Sequence, residues 1–161
     1  MSSLELEARL DNLLSTAQED TKDIDLFAPI TEQEECPICM LVLPLTGVTF
    51  FPCCGKRICD GCTNKVTDAE KNGRPLHELK CAFCQQLMIH IRDPKSEIKA
   101  LKKLIKKNNS GAFMQMSSHY ERGEGVFQSD TKALEMRIHA AELGNPNAYA
   151  IIGNYYQYQC H

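Results

Sequence analysis

Cysteine spacing constrains this chain more than any other feature. Eight of its nine cysteines lie between Cys36 and Cys84. Three pairs form C-x-x-C units (Cys36/Cys39, Cys59/Cys62, Cys81/Cys84), and Cys53 stands next to Cys54. A C-x-x-C turn lets two thiolates converge on one soft cation, and zinc in a tetrahedron of sulfurs is the usual occupant. Eight thiols complete two four-sulfur sites, with none left over and no position open for water. That is the donor set of structural zinc, so function is expected in what a zinc-built surface binds. A disulfide framework is the weaker reading, because Met1–Leu10 has neither the basic nor the apolar region of a signal peptide. A thioredoxin-like redox site needs one C-x-x-C, not three. Cys160 reads as a buried or terminal thiol.

A chain of 161 residues allows one or two small domains. The zinc stretch offers few core formers: Ile38, Leu41, Val42, Leu43, Val48, Phe50, Phe51, Ile58, Val66 and Phe83. So small a core is marginal alone, and zinc supplies the difference, about 10–16 kcal/mol in small zinc peptides. The net charge of −3 argues against a general nucleic-acid binder. No apolar run approaches the ~18 residues of a membrane span. The expected compartment is cytoplasmic or nuclear.

Residues 1–35 read as an acidic flexible leader. Leu4, Leu6, Leu10, Leu13 and Leu14 partly fit a helical stripe, which suits a partner-binding or self-pairing helix. The plainer expectation is a short, partly frayed helix on a disordered tail, with Pro29 interrupting any continuation. Past Cys36, Val48–Phe51 is predicted as a short strand. Cys53-Cys54-Gly55 is a tight turn, Lys56–Ile58 the returning strand, and Thr63–Lys71 a helix ended by Asn72-Gly73.

This stretch, residues 36–92, resembles a RING finger. The resemblance implies a small zinc-stabilised α+β cross-brace fold. It assigns Cys36, Cys39, Cys59 and Cys62 to one zinc, and Cys53, Cys54, Cys81 and Cys84 to the other. Most RING fingers read C-G-H-x-x-C in the middle, whereas Cys54-Gly55-Lys56-Arg57-Ile58-Cys59 has lysine in place of the histidine. A protonated lysine cannot ligate zinc. Cys53 is the favoured replacement, giving an all-cysteine RING similar to that of the Not-type ubiquitin ligases; His77 is the alternative. A FYVE-type phosphoinositide module is only faintly echoed by Lys56-Arg57, and tandem zinc ribbons fit the adjacent cysteines less well.

After Cys84, Leu87–Ile91 is an apolar run suited to a closing strand or docking segment. Residues 93–110 are predicted as a basic linker helix beginning at Pro94. Ile98, Leu101, Leu104 and Ile105 share one face, and Lys99, Lys102, Lys103, Lys106 and Lys107 cluster late, where cations suit the helix dipole. The apolar face is expected to dock on the next domain with the lysines in water; a basic nucleic-acid or lipid-binding stripe is the sharper alternative. From residue 111 a pattern recurs: Ala112, Phe113, Met116 and Tyr120 reappear thirty-six positions on as Ala148, Tyr149, Ile152 and Tyr156. That period marks helix-turn-helix solenoids. Gly123-Glu124-Gly125-Val126, Asp130, Lys132-Ala133 and Ala140–Gly144 resemble the signatures of the Sel-like repeat, a relative of the tetratricopeptide repeat. Residues 111–161 are then an all-α repeat segment of about one and a half units, with Tyr120, Ala133, Ala140 and Ala141 as packing residues. About three units are normally needed, so a fragment of a longer repeat protein is expected.

The resemblance implies a RING-type ubiquitin ligase, or a subunit of one, in which the zinc-built surface recruits a ubiquitin-conjugating enzyme. Helical repeats would hold substrate or adaptor. By position, Ile38, Val66, Ala82 and Phe83 would form the docking groove, and no residue does covalent chemistry. Ala82 stands where proline is usual, and Gln85 where many active RING fingers carry arginine or lysine. A zinc-binding interaction scaffold without ligase activity is therefore the alternative.

Overall fold

The computed structural model describes residues 3–20, 34–44, 46–71, 80–81, 83–86 and 93–159. Helix α1 (Ser3–Asp20) precedes a hairpin of β1 (Val48–Phe51) and β2 (Lys56–Cys59), which runs directly into α2 (Asp60–Lys71). Among the described residues four helices follow: α3 (Pro94–Ile105), α4 (Ser110–Arg122), α5 (Asp130–Glu142) and α6 (Pro146–Gln159).

The hairpin sorts its side chains by the twofold period of a strand. Thr49 pairs with Ile58 and Phe50 with Arg57, so Phe51 and Ile58 fall on one face, Phe50 and Arg57 on the other. Phe51 and Ile58 are buried with Cys36, Cys62 and Cys81, and Leu43 and Phe83 pack against them. The Phe51 and Phe83 rings meet edge to face at 5.7 Å. Phe50 leaves this small core altogether and packs against α3 and α4.

Each helical turn has its own start signal. Asp93 caps α3, accepting from Ser96 N at 3.0 Å, with Pro94 in the first turn. Asn109 caps α4, accepting from Ala112 N at 3.0 Å. Ser129 caps α5, and buried Asn145 accepts from Asn147 N and Ala148 N at the head of α6. Between α4 and α5 the chain turns through Gly125 (φ +73°), where a Cβ would lie 2.8 Å from Ile98 Cδ1 and 3.2 Å from the Pro94 carbonyl carbon. Only a glycine lets this turn close onto the start of α3. His119, also buried, reaches the Glu124 carbonyl from Nδ1 (3.0 Å) and Glu97 from Nε2 (3.5 Å).

As expected, α3 buries Ile98, Leu101 and Leu104 against α4 while its lysines stay exposed. Helix α5 lies at the centre, since every residue from Ala133 to Ala141 is at least half-buried. It packs on α4, α6 and α1.

The docking of α1 departs from the frayed, disordered leader favoured above. Leu6 and Leu10 are buried in one cluster with Phe113, Ile138, Ala141, Ala148 and Ile152, and Leu13 lies half-buried beside them. Spacing of i, i+4 and i+7 puts the three on one face. Arg9 adds a hydrogen bond from Nε to Glu142 Oε1 at 2.9 Å and an ion pair with Oε2. Leu4 remains exposed. Two further expectations are corrected. Helix α2 begins at Asp60, three residues ahead of Thr63, because the Asp60 carboxylate suits a helix N-terminus and Thr63 Oγ1 bonds back to Cys59 O. Leu41 and Val42, counted as core formers, are 68% and 49% exposed.

In the recurring pattern, Ala112 and Ala148 are both buried, as are Met116 and Ile152. Phe113 is buried whereas Tyr149 is exposed. Ala133, Ala140 and Ala141 are buried packing residues, and Tyr120 is half-buried with the Lys132 ammonium 5.6 Å from its ring centroid. His77, Leu87–Ile91, Cys160 and the loop after Asn72 lie outside the described residues.

Candidate metal centres and docking ledge

The two outer C-x-x-C units are built alike. Cys36 N donates to Leu41 O (2.8 Å) and Met40 N to Cys36 O (2.9 Å); Cys81 N donates to Gln86 O (2.8 Å) and Gln85 N to Cys81 O (3.0 Å). Met40 and Gln85, each just past the second cysteine, both hold φ at +59°. A left-handed residue here curls the backbone around its own sulfurs, and non-glycine residues rarely take that conformation without a tertiary reason. Cys53 and Cys54 sit in the hairpin turn, where Gly55 N bonds Phe51 O at 2.8 Å and Gly55 has φ +74°. Cys62 lies in the first turn of α2, and Cys59 ends β2.

These elements gather the sulfurs into two groups. Cys36, Cys39, Cys59 and Cys62 form one; Cys53, Cys54, Cys81 and Cys84 form the other, with ligand atoms within 4.8 Å of each other in each. Along the chain the pairs alternate between groups. Sulfur–sulfur distances are 3.8 Å for Cys39–Cys59, 4.0 Å for Cys53–Cys54 and 3.8 Å for Cys54–Cys81. A tetrahedron with Zn–S bonds of about 2.3 Å has edges of about 3.8 Å, whereas a disulfide holds its sulfurs about 2.0 Å apart. Both groups therefore fit a tetrahedral, thiolate-loving cation such as zinc. Such an ion would cross-link segments that share little apolar surface.

Thiol chemistry differs within each group. Burial works against ionising Cys36, yet the backbone N–H groups of Cys39, Cys59 and Ile38 outweigh it and bring the thiol down to about 6. Burial likewise opposes ionising Cys81, and the N–H groups of Cys84 and Phe83 overcome it, leaving that thiol low. Burial pushes Cys62 up to about 12 and Cys54 up to about 11. It also raises Cys53, with the Cys81 and Cys84 sulfurs adding to the effect. In each group a thiol lowered by backbone N–H groups (Cys36, Cys81) thus stands beside thiols raised by burial (Cys62 in one, Cys53 and Cys54 in the other).

Of the expected groove residues, Ile38 is 43% exposed on the first knuckle, and Phe83 on the second is half-buried against Phe51. Val66 lies on α2, and Ala82 is outside the described residues. Met40, Leu41 and Val42 extend Ile38 into an exposed apolar ledge. Sequence reasoning missed this ledge, although four apolar residues in five beside a metal knuckle were the available signal. An apolar strip left in water on a small module is a surface on which a partner could dock. Behind it, a cleft of about 680 Å³ runs between the cysteine-rich module (Val42, Leu43, Arg57) and the helices (Ser110, Leu143, Asn145). Arg57, on its wall, is held by Glu34 at 2.6 Å.

No family model matches the chain, and no solved structure does. Over 62 residues it is 42% identical to the general negative regulator of transcription subunit 4 of Saccharomyces cerevisiae, a stretch covering 37% of this chain. The chain spans about a tenth of the length of that relative. Among the described residues, no helix is long and apolar enough to cross a membrane.

Proposed function

We propose that this protein is a RING-type ubiquitin ligase or a subunit of one. Its cross-brace zinc module recruits a charged ubiquitin-conjugating enzyme, and its Sel-like helical repeats hold a substrate or adaptor. The observation that carries this reading is the exposed ledge of Ile38, Met40, Leu41 and Val42 on a knuckle held by an all-cysteine group. Two zinc ions bound by the eight cysteines would hold that surface in shape. Catalysis would then be proximity: the enzyme-linked ubiquitin and an acceptor amine are held together and their conformations restricted. The similarity to a subunit of a transcription regulator supports a nuclear or cytoplasmic site of action.

The test is discharge of ubiquitin from a panel of charged conjugating enzymes onto free lysine. We expect acceleration by the full chain carrying two zinc ions, reduced at least about tenfold by Ile38→Ala, as for a buried anchor in a small interface. No acceleration with any conjugating enzyme, in zinc-loaded protein, would leave the scaffold reading in its place. Ala82 and Gln85 are the positions that favour that second reading.

A further inference from the structure

The geometry points to a second binding surface, on the side of α3 that faces away from its core: a row of lysines that takes the phosphate backbone of a nucleic-acid duplex without regard to sequence. This inference goes beyond the proposed ligase function and does not rest on it.

Six lysines stand between Lys95 and Lys107, and all six are exposed. Lys95, Lys99, Lys102 and Lys106 follow one another at steps of four, three and four, which makes a single row along the helix. Lys103 and Lys107 lie beside it. At a rise of about 1.5 Å per residue the row is about 16 Å long. Ile98, Leu101 and Leu104 face the other way, buried with Ala112 and Met116, and Phe50 packs against them. The one carboxylate within α3 is on that inner side too, where Glu97 reaches the buried His119 ring at 3.5 Å. Asp93, the cap, accepts from Ser96 N and Oγ at 3.0 and 2.9 Å, and its charge falls on Lys95. Glu121 and Glu124 pair with Arg137 (2.7 Å) and Arg122 (3.2 Å). Among the described residues none of the six lysines is in an ion pair.

Like charges three and four residues apart destabilise a helix, so a polyanion laid along the row would relieve a repulsion that the fold leaves standing. The helix dipole suits the late lysines but acts only over the last turn, and it gives no reason for Lys95 or Lys99. The whole chain carries a net charge of −3, so the positive excess is local. Which polyanion fits follows from what the helix lacks. A helix lying in a lipid surface buries its apolar face there, and in α3 that face is already covered. Between Asp93 and Ser110 there is no aromatic residue on which unpaired bases could stack, and no arginine to fork onto a base edge. A flexible acidic segment of a protein would lose chain entropy on the row that a stiff duplex does not. What remains is a straight line of point charges, suited to phosphates that are themselves held in line. A duplex presents a phosphate about every 3.4 Å along each strand, so the row can meet up to about five of them.

Fluorescence anisotropy of the zinc-loaded full chain with a labelled DNA duplex of about 20 base pairs tests this. We expect binding at low salt whose logarithm falls linearly with the logarithm of salt concentration. Lys99→Gln/Lys102→Gln/Lys106→Gln protein should bind at least about tenfold more weakly, with a salt slope smaller by about 2–3. Glutamine matches lysine in helix propensity, and an unchanged helical circular dichroism shows that the fold is kept. Lys65→Gln/Lys80→Gln/Lys132→Gln protein loses the same charge from exposed positions elsewhere and should keep most of its affinity. Equal losses in the two variants would reduce the effect to net charge and overturn the proposal, as would no binding at low salt. An RNA duplex of the same sequence should bind within a few fold, because phosphate contacts carry no sequence information. Tighter binding to a single strand with as many phosphates would overturn the duplex reading. Tighter binding to polyglutamate of equal charge, or to phosphatidylserine vesicles, lost in the Lys99/Lys102/Lys106 variant, would assign the row to an acidic protein or a lipid surface and overturn it as well.

Discussion

The cysteine-rich module and the helical segment reach a defined structure by different means. Among the described residues from Glu34 to Lys71, with the last knuckle, the apolar side chains buried besides cysteine are few: Phe51 and Ile58, with Leu43 and Phe83 partly covered. Four of the apolar residues there, from Ile38 to Val42, lie in water instead. From Pro94 onward two apolar clusters run continuously through α3 to α6. One half carries two four-sulfur groups that a cation could cross-link, the other relies on ordinary burial. A short stretch that displays apolar surface cannot also use it as core, and the half with the exposed ledge is also the half whose sulfurs a metal could cross-link.

Metal removal should separate the halves most sharply. Structural zinc contributes about 10–16 kcal/mol in small zinc peptides, so a strong chelator should abolish amide protection across β1, β2 and the knuckles. Protection in α4 and α5 should change little. Uniform loss throughout would show that the helices lean on the metal too. Because burial raises Cys53, Cys54 and Cys62, an incoming zinc ion would have to displace their protons, and metal loss should be easier as pH falls.

A core substitution should produce the converse. Ile138 is fully buried at the centre of α5, and Ile138→Ala should cost about 2–5 kcal/mol. Urea unfolding followed by helical signal should shift, while native mass spectrometry still counts two zinc ions. Loss of zinc from this variant would mean the halves are not separable.

The smallest effect, and the most diagnostic, lies at their joint. A Cβ on Gly111 would stand 2.7 Å from the Phe50 ring, and Asn109 Nδ2 reaches Gly55 O at 3.5 Å. Gly111→Ala should therefore destabilise wild type by about 1–3 kcal/mol through overpacking. In a Phe50→Ala background the same change should stabilise by up to about 1 kcal/mol, since alanine outranks glycine inside a helix. An unchanged sign in the double-mutant cycle would remove Phe50 from the joint.

How much of this was legible beforehand depended on range. Ligand pairs and the hairpin are local matters, and the spacing of Cys36/Cys39, the turn at Gly55 and Pro94 at a helix start announced them, whereas the capping Asp93, Asn109 and Ser129 went unread. The burial of Ile98, Leu101 and Leu104 followed from periodicity. Phe50 and Phe51 look equally apolar, yet strand alternation sends one into the zinc core and the other to α3 and α4, and nothing local names that second destination. The face of α1 was readable from Leu6, Leu10 and Leu13. Its destination was not, because Glu142 and Ile152 stand more than a hundred residues away. Likewise, Leu41 and Val42 resembled core until their loop proved to project beyond the knuckle.

That separation between α1 and its groove has a consequence in time. A ribosome releases about 5–20 residues per second, and roughly 140 residues separate Leu10 from Ile152. For about 7–30 seconds of every synthesis, the leucines of α1 have emerged and their own groove has not been made. During that interval a waiting chaperone can hold them without displacing anything, whereas a finished copy has its own Leu6 and Leu10 in that place.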